Sequence, residues 1–390
     1  LGERQPFYRD TWVEVNLDEV EKNIHNFQSW LPDETQMMAV VKANGYGHGA
    51  EHVARVALRL GVPYIGVATL DEALALRKTG VTAPVLVLGY IRPQDTKLAA
   101  EYSIALTVFQ ADWLDQASKV IEDDDLINCH LKIDTGMARI GIRTEKEGHA
   151  VVKRIRDSKN FQLEGVYTHF ATADELDASY ADEQKNRFDR MLRWLKKEHP
   201  EPIKYIHAGN SATALRHLDK VYNMVRVGIS MYGLTPADEI AEHLPFELHE
   251  AFSLHSRLVH VKKLSAGEAI SYGATYQAQK DEWIGTVPIG YADGWIRENA
   301  TQGEVLVNGV RCPIVGRICM DQMMVLLPHR VEVGEKVTLI GRQQEDMISV
   351  AEVARRLGTI TYEIPCMISY RVPRAVWKGG KMVQIDNDVF

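Results

Sequence analysis

The amino-acid sequence predicts an α/β protein: an eight-stranded parallel (β/α)8 TIM barrel followed by a smaller β-rich carboxyl-terminal domain. Three observations predict it. From Met37 to Val227 short apolar runs alternate with amphipathic stretches of helical period, the mark of repeated β–α units. The apolar runs number eight, the count of a closed barrel; an open doubly wound sheet, the alternative, would use fewer strands and a topological switch point. After TPADEIAEHLPF the helical period stops and short strands separated by turns begin. The 390 residues accommodate a barrel of about 250 residues with a partner domain. Residues 15–243 are assigned to the barrel and 244–390 to the second domain, with an amino-terminal strand within 1–14 a candidate to join the latter.

MAVVK (38–42) has the unbroken apolar character and β-branching of a strand buried on both faces, and YIGVA (64–68), VLVLG (85–89) and ALTVF (105–109) repeat it. INCHLKID (127–134) and LEGVYTHF (163–170) end on polar residues, and YIHA (205–208) and NMVRVG (223–228) complete the set. Between them EHVARVALRL, LDEALALRKT, ADWLDQASKV and YADEQKNRFDRMLRWLKKE place leucine and alanine at helical spacing. In the second domain FSLHSRLVHVKKL, WIGTVPIGYADG, EVLVNGVRCPIVG and KVTLIGR read as strands, with Asn308-Gly309 as a hairpin signal.

A hydrophobic content of 45% and a charged content of 25% are those of a soluble globular protein. The net charge of -8 argues against a phosphate-backbone binder, so no nucleic-acid partner is expected. LGERQPFYRDTW lacks the apolar core of a secretion signal, and no run approaches the roughly 20 residues of a membrane span, so a cytoplasmic protein with no membrane partner is expected. Cys129, Cys312, Cys319 and Cys366 show no CxxC spacing, which indicates neither a disulfide framework nor a metal site.

Polar groups collect where the barrel strands end. Lys42 closes the first run and passes at once into a turn carrying Gly45, Gly47 and Gly49, which lets backbone approach a ligand closely. A strand-end lysine commonly just reaches water; in apolar surroundings the same amine loses basicity and becomes a nucleophile able to form a Schiff base. Lys132 and Asp134 end the fifth run with Arg139 beyond, His169 ends the sixth, His207 and Asn210-Ser211 follow the seventh, and Arg226 lies in the eighth. Each has a structural alternative, since Arg226 could pair with a core carboxylate, His169 could be a satisfied core histidine and Lys132 could extend out of its strand. Together at one rim they favour a site. The backbone N–H groups at Gly228 and Ile229, with Ser211 at a helix start, suit a phosphate after strands seven and eight. A phosphate site beside a Schiff-base lysine points to pyridoxal 5'-phosphate.

These residues sit in motifs that resemble the bacterial alanine racemases, pyridoxal-phosphate enzymes with a barrel and a β domain. VVKANGYGHG is similar to their cofactor-lysine motif, and LKIDTGMARIG, GVYTHFATADE, NMVRVGISMYG, ISYGATY, PIGYADGW, GRICMDQ and TYEIPCMISYRVPR follow in the family's order, nearly end to end. The resemblance implies interconversion of L- and D-alanine, supplying D-alanine for peptidoglycan, with Lys42 as the cofactor lysine. It implies Tyr46, Ser211, Gly228, Ile229 and Tyr362 at the phosphate, Arg226 supported by His207 at the pyridine nitrogen, and Arg139 near the phenolic oxygen. Lys132 corresponds to a lysine often carbamylated, holding Arg139. Tyr272 matches a second catalytic base, contacted by His169 and supplied by the other subunit, which implies a homodimer with shared active sites. Met320 and Asp321, with Tyr291, match the partner subunit's contribution around the substrate carboxylate, and Asp174, Arg297, Arg317 and Ile360 resemble the substrate entry corridor. Gly45, Ala138 and Gly209 depart from the family's commoner small residues, which leaves substrate breadth less fixed than reaction type. The rival readings are a basic amino-acid decarboxylase, expected to carry a carboxylate at the pyridine nitrogen, a non-enzymatic pyridoxal-phosphate carrier lacking the second domain, and a cofactor-free barrel scaffold.

Overall fold

The structure, a computed structural model, describes residues 7–387 and Val389. Its described residues divide into two compact units: Glu21–Met231 with Thr235–Leu248 form one, and the remainder form the other. The first strand, β1 (Thr11–Asn16), belongs to the second unit; residues 1–6 of the expected amino-terminal strand lie outside the described residues.

In the first unit β2 (Gln36–Val40), β3 (Tyr64–Val67), β4 (Val85–Val87), β5 (Ile104–Val108), β6 (Ile127–Lys132), β7 (Phe161–Tyr167), β8 (Tyr205–His207) and β9 (Met224–Val227) form a closed parallel barrel in chain order. Pairing of β9 with β2, from Gln36 opposite Met224 to Ala39 opposite Val227, closes it. Every residue of β3, β4, β5 and β9 is buried, because helices cover the outer face while side chains fill the interior. Met38, Tyr64, Leu86, Ala105, Tyr205 and Met224 pack as one interior cluster. The expected helices appear as Ala50–Arg59, Leu70–Lys78, Ala111–Ala117 and Ser179–Glu198.

Most of the strands end before the sequence predicts. β2 stops at Val40, where MAVVK runs to Lys42; β6 stops at Lys132, short of Asp134; and β7 stops at Tyr167, short of His169. The polar residues that extend the strand pattern instead open the mouth loops, where they can converge. After β2 the chain turns left-handed, with φ of 52° at Ala43, 51° at Asn44, 62° at Gly45 and 52° at Tyr46. Non-glycine residues in that region cost roughly 1–2 kcal/mol each, so neighbouring structure must hold the turn.

The second unit is built on an 11-stranded sheet. β1 runs antiparallel to Phe252–Arg257 and parallel to Arg374–Lys378, so the amino-terminal segment joins carboxyl-terminal strands. Asn308 and Gly309, with φ of 53° and 76°, turn the hairpin between Glu304–Val307 and Val310–Val315. A separate two-stranded piece, Ala269–Ile270 with Tyr276–Gln277, carries Tyr272. Among the described residues no helix is long and apolar enough to cross a membrane.

Candidate active site

The left-handed turn places Lys42 at the barrel mouth and folds Tyr46 back beneath it, with the Lys42 Nζ 5.9 Å from the Tyr46 ring centre. Glu72 holds this turn. Its Oε1 accepts the Ala43 N–H at 2.7 Å and its Oε2 the Ala68 N–H at 2.7 Å, while Thr69 and Glu72 form a capping box at the start of helix Leu70–Lys78. Glu72 escaped the sequence reading because as one acid in LDEALALRKT it looks like an ordinary first-turn helix charge.

Tyr46 is buried with its hydroxyl against Gly228: a Cβ at Gly228 would lie 2.5 Å from the Tyr46 Oη. The Gly228 N–H donates to the Ser211 Oγ at 2.9 Å, and Ile229 follows as the first residue of a tight turn ending at Tyr232. The structure therefore brings Tyr46, Ser211, Gly228 and Ile229 together. Asn210 acts as a helix cap, its Oδ1 accepting the Thr213 N–H at 3.0 Å.

Arg226 is buried beside them. Its Nη1 donates to the His207 Nδ1 at 2.8 Å and the His207 carbonyl at 3.2 Å; its Nη2 donates to the Thr168 carbonyl at 2.9 Å, the Ala208 carbonyl at 3.0 Å and the His169 Nδ1 at 3.1 Å. Among the described residues no carboxylate pairs with it, which removes the core-pair alternative. Burial lowers the guanidinium's proton affinity to about 10, still charged at neutral pH. Tyr167, another residue the sequence reading passed over, stacks on His207 with ring centres 4.7 Å apart and lies under both Arg226 and Lys132.

Arg139 projects from a loop folded by Asp134, whose Oδ1 accepts the N–H groups of Gly136 and Ala138 at 3.0 Å each. Burial and then the charges of Arg226, Lys132, Arg139 and Lys42 press His169 well below the usual histidine range, which identifies the mouth as a cationic basin. Burial, then Arg226, moves the Lys132 ammonium down to about 7, against attraction from Asp134. Between that value and the unfolded one near 10.4 the unfolded chain holds a proton that the folded chain has released, so stability rises with pH across the window and the deficit is complete below it. Lys132→Met removes this deficit. In carbon-dioxide-free buffer its gain in unfolding midpoint over the parent is expected to be largest near about pH 6 and to shrink towards about pH 9.5; a gain flat with pH would contradict the assignment.

The second unit holds the remaining candidates. Tyr272 is 72% exposed. It follows Ser271, whose φ of 67° and ψ of 179° lie in a region used almost only by glycine. The Ser271 Oγ donates to the Arg317 carbonyl at 2.6 Å, and the Arg317 guanidinium lies where a Cβ on Gly273 would approach it to 3.0 Å. Arg317 thus backs the turn that displays Tyr272, and with Arg297 it lines a cavity of about 730 Å³. The Tyr291 N–H donates to the Cys319 carbonyl and the Ala292 N–H to the Met320 carbonyl, both at 3.1 Å, joining the Tyr291 and Met320 loops. Asp321 accepts from Arg371 at 2.8 Å. Tyr362 precedes helix Glu363–Met367, Ile360 is exposed, and Asp174 lies in the barrel unit's loop after β7.

Residues 15–236 match the family described as alanine racemase, N-terminal domain, and residues 251–376 that described as alanine racemase, C-terminal domain. The alanine racemase of Geobacillus kaustophilus is 56% identical over 383 residues, 98% of each chain. The crystal structure of alanine racemase from Bacillus anthracis with bound L-Ala-P superposes with a TM-score of 0.96 at 50% identity, covering 99% of each chain. The histidine racemase of Leuconostoc mesenteroides subsp. sake superposes with a TM-score of 0.87 at 30% identity, covering 96% of this chain and 100% of its own.

Proposed function

The chain belongs to the alanine racemase family, and from that premise we propose that it interconverts L- and D-alanine with pyridoxal 5'-phosphate held at the barrel mouth. The observation that carries the reading is Arg226, a buried guanidinium with no carboxylate partner among the described residues, beside Lys42, Lys132 and Arg139. This donor set fits an anionic, phosphorylated aldehyde. When bound, the cofactor draws electrons from the substrate α-carbon and makes its proton acidic. Lys42 would hold the cofactor, and the Tyr46 and Ser211 hydroxyls with the Gly228 and Ile229 backbone would receive its phosphate, with Asn210 capping the short helix that carries Ser211. Arg226, oriented by His207, would face the pyridine nitrogen. A guanidinium donates a hydrogen bond there without surrendering its proton, which limits electron withdrawal and restrains side reactions. A decarboxylase of this plan would be expected to use a carboxylate at that place.

Racemisation needs a base on each face of the α-carbon. Lys42 serves the D antipode and the partner subunit's Tyr272 the L antipode. Because the Nδ1 of His169 accepts from Arg226, its Nε2 carries the proton and is free in direction to donate to the oxygen of that tyrosine. The exposure of Tyr272, with Met320 at 53% and Tyr291 at 41%, supports a homodimer in which each copy completes the other's site. Cofactor binding is assigned to residues 15–243 and the second base to 244–390. The partner subunit's Met320, Asp321 and Tyr291 meet the substrate carboxylate with Arg139, and Asp174, Arg297, Arg317 and Ile360 are assigned to the entry corridor. Burial and the charge of Arg226 loosen the Lys132 amine's hold on its proton, and a neutral amine reacts with carbon dioxide, so we assign Lys132 as carbamylated and bracing Arg139. The reaction is placed in the cytoplasm, feeding D-alanine to peptidoglycan.

The test is incubation of the cofactor-loaded protein with L-alanine in heavy water, following chirality and α-deuterium. Labelled D-alanine is expected; a yellow protein that leaves alanine unchanged would keep the cofactor and overturn the substrate. L-serine and L-histidine belong in the same experiment, since a histidine racemase shares this fold.

A further inference from the structure

A continuous chain of hydrogen bonds, buried as far as His130 and ending on the part-buried Glu164, runs from Arg226 towards the amino-terminal end of the barrel. A guanidinium has only donors, so the His207 Nδ1, 2.8 Å from Nη1, must be bare, and a neutral His207 then carries its proton on Nε2. That nitrogen lies 2.9 Å from the His130 Nδ1, which must accept; His130 in turn carries its proton on Nε2, 3.2 Å from the Glu164 Oε2. Both imidazoles are fully buried, and a proton added to either would set two donors face to face. The same Glu164 oxygen accepts the Tyr64 hydroxyl at 2.9 Å, and Lys204 stands 3.9 Å from the other oxygen.

Two features of the backbone build this path. Register between β6 and β7 jumps from Cys129 opposite Leu163 to His130 opposite Gly165, leaving Glu164 as an extra, bulged residue whose carboxylate reaches the His130 ring. Gly165 must lack a side chain, since a Cβ there would come within 2.3 Å of the His130 Nδ1. An uninterrupted apolar strand would pack this interior without a bulge, a glycine or buried polar atoms.

We propose that Glu164 is a positioning residue for Arg226: it accepts the His130 Nε2 proton at the far end of the chain that Arg226 begins, so that both imidazole tautomers are locked between a donor and an acceptor, and it supplies the remote negative charge that balances the guanidinium at the mouth. The tautomer lock is a property of the protein alone; its consequence for the reaction rests on the reading that Arg226 faces the cofactor. The test uses holoenzyme labelled with 15N in histidine. The parent is expected to show His130 and His207 with bare Nδ1 and protonated Nε2. Glu164→Gln keeps an acceptor and loses the charge, so both tautomers should persist, the His130 Nε2 proton should move upfield, and the ratio of amino-transfer product to racemised alanine should rise severalfold with KM little changed. Glu164→Leu removes the acceptor altogether, so the His130 Nε2 proton should move further upfield than in Glu164→Gln, while His207, whose Nδ1 still faces Arg226, keeps its tautomer. Unchanged histidine signals and product ratio in Glu164→Gln, or an unchanged His130 Nε2 proton in a folded Glu164→Leu, overturn the proposal. Shifts of the histidine signals in a protein that retains no cofactor would support the lock and count against the functional reading instead.

Discussion

Tyr272→Phe in the cofactor-loaded enzyme is expected to slow deuterium exchange at the α-carbon of L-alanine by roughly 10²–10⁴-fold, the usual contribution of a positioned general base, while exchange from D-alanine changes far less. The substitution removes one oxygen and keeps the ring, so the turn should survive. That turn is expensive to build: Ser271 sits at φ 67°, ψ 179°, a conformation costing roughly 1–3 kcal/mol for a non-glycine residue. It is held by the Ser271 Oγ on the Arg317 carbonyl at 2.6 Å and by the Ala274 N–H on the Ser271 carbonyl at 3.1 Å. Strain combined with 72% exposure at Tyr272 is what a residue displayed for use outside its own unit requires, whereas a tyrosine closing a hairpin would pack down. Equal exchange rates for the two antipodes in the variant would remove the assignment. Mixing Lys42→Ala with Tyr272→Phe chains extends the test: if sites are shared, a mixed dimer holds one site with both bases and one with neither, and activity should reappear on subunit exchange.

The barrel was legible because burial on both faces writes strands as continuous apolar runs, and the eight runs are the eight strands observed. Their ends were less legible, since a polar residue after an apolar run reads equally as the last strand position or the first loop position. Lys42, His169 and Asp134 all fall on the loop side. The left-handed turn from Ala43 to Tyr46 is marked in the sequence by Asn44 and Gly45; at Ala43 and Tyr46 it is imposed by tertiary contacts such as Glu72, which local patterns do not record. Glu164 was hidden for a related reason. Alternation assigns each strand residue a face, and a bulge breaks the alternation at the residue whose direction matters. Arg226 and His207 could be found as polar residues in otherwise buried strands, but Tyr272, Met320 and Asp321 sit in short turns with no periodicity, and only the family resemblance singled them out.

Arg226→Glu should combine loss of activity with a change of reaction. The parent guanidinium satisfies three backbone carbonyls, of Thr168, His207 and Ala208, and the Nδ1 atoms of His169 and His207. A carboxylate in its place meets only acceptors, and an uncompensated buried charge costs roughly 3–5 kcal/mol, so the glutamate is expected to take up a proton and the unfolding midpoint to fall. A protonated carboxyl can give a proton to the pyridine nitrogen where the guanidinium withholds one. Racemisation of alanine should therefore drop by about 10² or more while pyruvate from amino transfer rises from near zero, a change that unfolding alone cannot produce. Arg226→Lys separates the two effects: it keeps a cation but replaces the planar fork with a single donor point, so activity should fall without new products. Pyruvate formation and alanine chirality, measured together in both folded variants, decide it. If Arg226→Glu binds cofactor and makes no pyruvate, the guanidinium does not govern fidelity, and the cationic basin serves only to hold the phosphate and the substrate carboxylate.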